Sequence, residues 1–170
     1  MITLFDLSGK NDLRFSPYCW RVKYLLNFRK ITYQTKPTCF TERLNNTFFG
    51  DAKLPTITDD GIKISNSFNI AEHIENKYVD IDQRIINPAN KSSLYFINNW
   101  SDHFLNASIL ERVAYDIISV LDHKDIEYFI ESRSKRFGMS PKDFQARNIK
   151  KSENSFYKCC NFLDKILENQ

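Results

Sequence analysis

A serine stands where a redox motif would need its first cysteine. Residues 16–19 read Ser-Pro-Tyr-Cys, between a β-prone run and an amphipathic helical stretch. With cysteine at position 16 the segment would be a dithiol redox centre, whose first sulfur is the attacking thiolate. Ser16 lacks that sulfur but offers a hydroxyl at a helix N-terminus, where anions are stabilised. Taken alone, Ser16 is better explained as a plain helix N-cap.

The elements that must position Ser16 alternate between strand and helix over the first 80 residues. Residues 2–7 predict a strand, Pro17 suits the first position of a helix, and residues 31–35 predict a second strand. This β-α-β opening favours parallel pairing of the two strands. An Asp-Gly turn at 60–61 predicts a hairpin, after which a helix with a 3.6-residue apolar period begins at residue 66 or 67.

The second half of the chain predicts helices only. Residues 81–90 form a polar linker that contains Pro88, and apolar residues recur at helical spacing after it. Ser140 and Pro141 predict the cap and first turn of the last helix. We therefore predict an α/β domain over residues 1–80, a linker over 81–90 and an all-helical domain over 91–170.

The composition excludes several classes of function. A net charge of +3 with scattered Lys and Arg does not form the clustered patch that nucleic-acid binding needs. No apolar run reaches the roughly 18 residues of a membrane helix, and the N-terminus lacks the features of a signal peptide. We therefore expect a cytoplasmic protein that binds neither nucleic acid nor membranes. Its four cysteines are then thiols, and their spacing with the three histidines predicts no metal site.

Several motifs, taken in order, resemble those of glutathione S-transferases. They are a Ser-Pro-x-x-Trp-Arg turn at 16–21, a Leu-Pro-Thr strand entry at 54–56 and an Asn-Ser helix cap at 66–67, followed by the helical half. The etherase-like, fungal-type branch is the most similar, since it shares this turn and resembles residues 114–138. The resemblance implies an α/β plus all-α fold, in which a thioredoxin-like domain (β-α-β-β-β-α) precedes a helical one. Because family members continue beyond the point matched by residue 170, it also implies a C-terminally truncated member with a partial helical domain.

The resemblance also implies roles for single residues. Ser16 is the catalytic hydroxyl that hydrogen-bonds the glutathione sulfur. Pro55 is the cis-proline of the family, and the backbone of Leu54 binds the cysteinyl part of glutathione. Asn66 and Ser67 hold the γ-glutamyl end, although Asn66 stands where the family more commonly has an acid, and this departure weakens the expected hold on the amino group.

Four further residues are weaker candidates. Lys53 is the candidate for binding the glycyl carboxylate, and its plainer alternative is a solvated lysine before a strand. Trp100, Phe104 and Tyr115 are candidates for an apolar substrate pocket, although aromatic residues at helical spacing more often form a core.

These roles predict a detoxifying glutathione transferase. Glutathione is its co-substrate, its second substrate is an electrophilic apolar or aromatic molecule, and etherase-like cleavage is a possible sub-activity. The family resemblance implies a homodimer. The alternative is a non-catalytic binding protein with the glutathione transferase fold, which the asparagine at position 66 and the early end of the chain favour. A third reading, glutaredoxin-like reduction through Cys19, lacks its attacking thiol, so we expect Cys19 to be a small buried residue instead.

Overall fold

The computed structural model describes residues 1–168 of the 170-residue chain. Its strands are β1 (Ile2–Leu7), β2 (Tyr33–Thr38), β3 (Thr56–Asp59) and β4 (Ile62–Ser65). Its α-helices are α1 (Pro17–Phe28), α2 (Phe40–Asn45), α3 (Ser67–Tyr78), α4 (Lys91–Trp100), α5 (Asn106–Val113), α6 (Ile126–Phe137) and α7 (Pro141–Leu167). By contact the chain divides into two units, the first made of residues 1–92 and 120–128 and the second of the other described residues. The predicted linker at 81–90 stays a prediction about domain boundaries.

The four strands form one mixed sheet in the order β2-β1-β3-β4. β1 and β2 pair in parallel, as predicted, and β3 is antiparallel to both β1 and β4. The register places Leu7 opposite Thr38, Phe5 opposite Thr56, and Thr56 opposite Ser65. The last residues of β1, β2 and β4 and the first residue of β3 therefore share one end of the sheet, here called the upper end. This thioredoxin-like arrangement confirms the fold predicted for the N-terminal half.

Helices α1 and α3 cover one face of this sheet. Both helices contribute apolar side chains at helical spacing to a core that is buried against alternate residues of β1 and β3. Burying each such side chain stabilises the fold by about 1.5–3 kcal/mol. The buried core residues are Ile2, Leu4, Val22, Leu26, Ile57, Ile70 and Ile74.

Helix α2 lies in a stretch where the sequence predicts no regular element. The helix has only six residues, too few to show an apolar period. It begins with a capping box at Cys39, whose backbone N–H donates to a carboxylate oxygen of Glu42 at 3.1 Å. Cysteine is not among the residues preferred at an N-cap, so the box is hard to recognise from sequence.

The helical unit contains one longer helical run than the sequence suggests. A π-helical turn, Ser101–Leu105, joins α4 directly to α5, so that the chain stays helical from residue 91 to 113. At the start of α7, Ser140 Oγ accepts a hydrogen bond from the Asp143 N–H at 3.1 Å, which confirms the predicted cap. Within residues 1–168, no helix is long and apolar enough to cross a membrane.

Candidate functional site

Ser16 lies where α1 begins, after the loop that follows β1. Its Oγ accepts a hydrogen bond from the backbone N–H of Cys19 at 3.3 Å, and Pro17 occupies the first helical position. The predicted N-cap is therefore confirmed. Only 5% of Ser16 is exposed, so its hydroxyl is held in one place by the helix that it caps.

Cys19 is a buried thiol, as predicted. It is fully buried, and the Leu7 N–H donates to its Sγ at 3.5 Å. Burial raises the pKa of the Cys19 thiol to about 11, and the opposing hydrogen bonds from Ser16 and from the Leu7 backbone do not offset it. The thiol is thus protonated at neutral pH and does not supply the thiolate that a redox nucleophile needs.

A buried charge network fixes the loop that carries Ser16. Asp6 in β1 is fully buried, and its Oδ2 lies 2.8 Å from Arg14 Nη1 and 2.5 Å from Lys23 Nζ. The backbone carbonyl of Arg14 also accepts a hydrogen bond from Trp20 Nε1 at 2.8 Å. The loop is therefore tied to β1 by the Arg14 side chain and to α1 by its backbone. This network is not predicted from the sequence above, where the one signal for it is a carboxylate within an apolar strand.

Leu54 and Pro55 precede β3 at the upper end of the sheet. Their peptide bond is cis, as the resemblance implied, and Pro55 is buried. Neither the N–H nor the C=O of Leu54 hydrogen-bonds to any group in residues 1–168. Lys53 is exposed, and its carbonyl accepts a hydrogen bond from Thr56 Oγ1 at 2.9 Å. Because its N–H and C=O are unpaired within the described residues, the backbone of Leu54 is available to hydrogen-bond with a ligand.

Asn66 and Ser67 join β4 to α3 at the same end of the sheet. The Oδ1 of Asn66 caps α3 by accepting from the N–H groups of Phe68 at 2.9 Å and Asn69 at 3.4 Å. Asn66 has φ +75°, a left-handed backbone that side chains rarely adopt. Ser67 is 9% exposed, and its hydroxyl has no hydrogen-bond partner among residues 1–168. The side-chain oxygen of Asn66 is occupied by these two N–H groups of α3. The side-chain NH2 group of Asn66 and the hydroxyl of Ser67 are therefore the groups left to bind a ligand.

The sheet brings the three segments that carry these candidate residues to its upper end. Ser16 follows β1, residues 54–55 precede β3, and residues 66–67 follow β4. The pairing of Phe5 with Thr56 and of Thr56 with Ser65 places those strand ends side by side. A hydroxyl, an unpaired backbone and a second hydroxyl thus lie along the upper end of the sheet, where together they can bind an extended peptide-like ligand by hydrogen bonds.

The three aromatic candidates lie in the helical unit. Trp100 is half-buried with its ring 5.4 Å from that of Phe162, whereas Phe104 and Tyr115 are exposed. No ring contact joins any two of the candidates within the described part of the chain. A substrate pocket formed by them stays a prediction. No group of three His, Cys, Asp or Glu side chains in residues 1–168 is arranged to hold a metal ion.

Solved structures share this fold. The structure superimposes on glutathione S-transferase CsGST63524 of Ceriporiopsis subvermispora, solved in complex with glutathione, with a TM-score of 0.84 and 19% identity. The match covers 99% of this chain and 74% of that one. The chain has the glutathione S-transferase fold. Glutathione transferase GSTFuA3 from Phanerochaete chrysosporium matches with a TM-score of 0.84 and 16% identity, over 99% of this chain and 72% of that one.

The sequence itself also matches this fold family in its first half. Residues 12–81 match the family model of the glutathione S-transferase N-terminal domain. All the candidate residues at the upper end of the sheet, from Ser16 to Ser67, lie inside that match. Trp100, Phe104 and Tyr115 lie outside it.

Proposed function

We propose that this chain is a glutathione transferase that uses Ser16 to hold the sulfur of glutathione as a thiolate. The observation that carries the proposal is the set of polar groups at the upper end of the sheet: the N-cap hydroxyl of Ser16, the unpaired backbone of Leu54, and the unpaired hydroxyl of Ser67. The similar structure of CsGST63524, which contains glutathione, supports the choice of ligand.

Glutathione fits these groups in an extended conformation. Its cysteinyl part pairs with the Leu54 backbone, and its γ-glutamyl end lies at Asn66 and Ser67. The exposed ammonium group of Lys53 receives the glycyl carboxylate. The sulfur then lies at the N-terminus of α1, next to Ser16.

The chemistry needs a hydrogen-bond donor and no strong base. A free thiol has a pKa of about 8.5, so only a few per cent of it is thiolate at neutral pH. A helix N-terminus stabilises an anion by about 0.3–1 kcal/mol, and a hydrogen bond to a charged group contributes about 1.5–3 kcal/mol. Since one pKa unit corresponds to about 1.36 kcal/mol, the two together lower the pKa of the bound thiol to about 6–7.

The Ser16 hydroxyl is oriented to make that hydrogen bond. Its oxygen accepts from the Cys19 N–H, which leaves its O–H to donate. The neutral Cys19 thiol is a weak acceptor, whereas a thiolate is a strong one. In the reaction the thiol proton goes to solvent, the thiolate forms a C–S bond with the electrophilic carbon, and the leaving group departs with the bonding electrons.

Finer features of the proposal come from the resemblance. We propose that the site is most similar to those of the etherase-like, fungal-type branch. The turn at 16–21 has the Ser-Pro-x-x-Trp-Arg pattern of that branch, and two of the similar structures are fungal. Trp100, Phe104 and Tyr115 contribute to binding an apolar electrophile in this proposal. The protein acts as a homodimer in the cytoplasm, where such conjugation serves detoxification.

The test compares two serines that occupy the same kind of position. Ser16→Ala and Ser140→Ala each remove an N-cap hydroxyl that is followed by proline, and each costs about 1 kcal/mol of stability. We expect Ser16→Ala to lower kcat/KM with a general electrophile about 10- to 100-fold near neutral pH. The pKa of bound glutathione, followed by thiolate absorbance, should rise by about one to two units. Ser140→Ala should change neither quantity.

The same experiment separates the alternatives. Absence of glutathione binding to the wild-type chain at millimolar concentration would exclude the transferase. Binding without turnover of any electrophile would favour the non-catalytic binding protein. Equal effects of the two alanine substitutions would remove Ser16 from the mechanism.

A further inference from the structure

A distant segment of the chain belongs, by contact, to the first unit. Residues 120–128, here called the strap, lie between two parts of the helical unit in sequence but group with residues 1–92. At one end of the strap, the Val120 carbonyl lies so close to Gly9 that a side chain at position 9 would collide with its oxygen. Gly9 is in the loop between β1 and α1, so the strap begins against the loop that leads to Ser16.

Toward its other end the strap carries a fully buried carboxylate that caps α2. Asp125 Oδ2 accepts from the Phe40 N–H at 2.7 Å. Its Oδ1 accepts from the Thr41 N–H at 2.9 Å and from Thr41 Oγ1 at 2.7 Å. The first N–H groups of a helix need such acceptors, and a six-residue helix is not stable by itself. Asp125 therefore supplies from a distance the cap that holds α2 in place.

Helix α2 in turn holds the segment that leads to Lys53. The guanidinium of Arg43, in α2, donates from Nε to the Ala52 carbonyl at 2.8 Å and from Nη2 to the Gly50 carbonyl at 3.4 Å. Residue 52 is followed directly by Lys53 and Leu54. A continuous series of hydrogen bonds thus connects Asp125, through α2, to the residues proposed to bind the glycyl and cysteinyl parts of glutathione.

We infer that Asp125 is a positioning residue. By capping α2 it fixes the position of Lys53, and it thereby strengthens binding of the glycyl end of glutathione. The inference rests on the proposed function. Asp125 is not proposed to touch the ligand, because both of its oxygens are used by α2. Its loss should affect the glycyl end of the ligand, which lies at Lys53, and spare the γ-glutamyl end, which lies at α3.

The experiment compares glutathione with γ-glutamylcysteine, which lacks the glycine. Calorimetry on the full chain measures both affinities for the wild type, Asp125→Ala and Asp125→Asn. The matched control is Asp59→Asn, because Asp59 is also a fully buried carboxylate with three donors but lies at the opposite end of the sheet. We expect Asp125→Ala to weaken glutathione binding about tenfold and γ-glutamylcysteine binding less than about twofold. Asp59→Asn should leave the ratio of the two affinities unchanged.

A second readout needs no ligand. Hydrogen exchange of the backbone amides in α2 should be faster in Asp125→Ala than in the wild type, while exchange in α1 should not change. Asp125→Asn keeps the shape and one acceptor, so it should show a smaller change in the same direction even if the alanine variant does not fold.

Two results would overturn the inference. One is an equal loss of affinity for both ligands in the Asp125 variants, and the other is unchanged exchange in α2. If the wild type itself does not bind glutathione, the proposed function fails; unchanged exchange or an equal loss, with wild-type binding intact, contradicts only the role of Asp125.

Discussion

At the scale of single residues, Asn66 caps α3 and is also one of the residues proposed to bind glutathione. Its oxygen caps α3, and its backbone has φ +75°. Such a conformation is costly for a residue other than glycine and is often found at functional sites. Because the oxygen is already used, Asn66 presents only donors to a γ-glutamyl group. Donors suit the carboxylate of that group and not its ammonium.

Replacing Asn66 by aspartate should therefore strengthen glutathione binding. Aspartate caps a helix as well as asparagine does, and it adds a negative charge for the ligand's amino group. For Asn66→Asp we expect a Kd for glutathione about three- to tenfold lower, measured by calorimetry. N-acetylglutathione, whose amino nitrogen is uncharged, is the control and should show no gain. An equal gain with both ligands would contradict this account of Asn66.

At the scale of elements, the two ends of the sheet serve different purposes. The upper end leaves polar groups unpaired, whereas the other end pairs its buried carboxylate fully. Asp59, at the end of β3, accepts hydrogen bonds at 2.7 Å from His73, Lys77 and Tyr78 of α3. This group of side chains ties the β3–β4 hairpin to the helix, so it is a structural anchor.

The Asp59 anchor should make stability depend on pH in acid. Burial alone raises the pKa of Asp59, but the hydrogen bonds from Lys77, His73 and Tyr78 outweigh it and lower the pKa from 3.8 to about 2. A carboxyl whose pKa is lower in the folded chain stabilises the fold above its ordinary pKa, and this contribution is lost as the pH falls toward 2. Between about pH 5 and pH 2, the wild type should lose about 2 kcal/mol more unfolding free energy than Asp59→Asn.

Urea unfolding at several pH values measures this difference. We expect Asp59→Asn to be less stable than the wild type at neutral pH, so the slope of the unfolding free energy against pH is the quantity to compare. Parallel curves for the two proteins would show that Asp59 is not held ionised by its three partners.

Elements whose start or turn is marked by neighbouring residues could be predicted from the sequence. Elements that are stabilised by residues far away in the chain could not. Ser16 and Pro17 mark the start of α1 by themselves, and the Asp-Gly turn marks the hairpin. Helix α2 has no such signal, because its decisive cap is Asp125, which lies 84 residues beyond Thr41. Likewise, the sequence indicated that Ser16 could hold a sulfur, but not that Arg14 ties its loop to a buried Asp6.

At the scale of the whole molecule, α4 leaves several large apolar side chains exposed to solvent. Phe96 is 71% exposed and Ile97 is 54% exposed. Contiguous exposed apolar surface commonly marks a protein–protein interface. We propose that α4 contributes to the homodimer that the resemblance implies.

A charge in α4 should then break the dimer. We expect sedimentation equilibrium of the wild type to give twice the 20.1 kDa of one chain, and Phe96→Glu to give the mass of a monomer. Tyr24, on α1, is 68% exposed and lies in a second exposed apolar row with Trp20 and Phe28, so loss of the dimer in Tyr24→Glu and not in Phe96→Glu would place the interface on α1 instead. A monomeric wild type, or a dimeric Phe96→Glu, would contradict the proposal.

The strap also limits how this protein can be divided or recombined. A cut placed at residue 92 looks clean in sequence, yet it separates α2 from the aspartate that caps it and the Gly9 loop from Val120. The first 92 residues are thus not a transferable module. A chimaera that exchanges the first 92 residues for those of a relative must exchange residues 120–128 with them. The same requirement applies to natural recombination, so the two stretches should be inherited together.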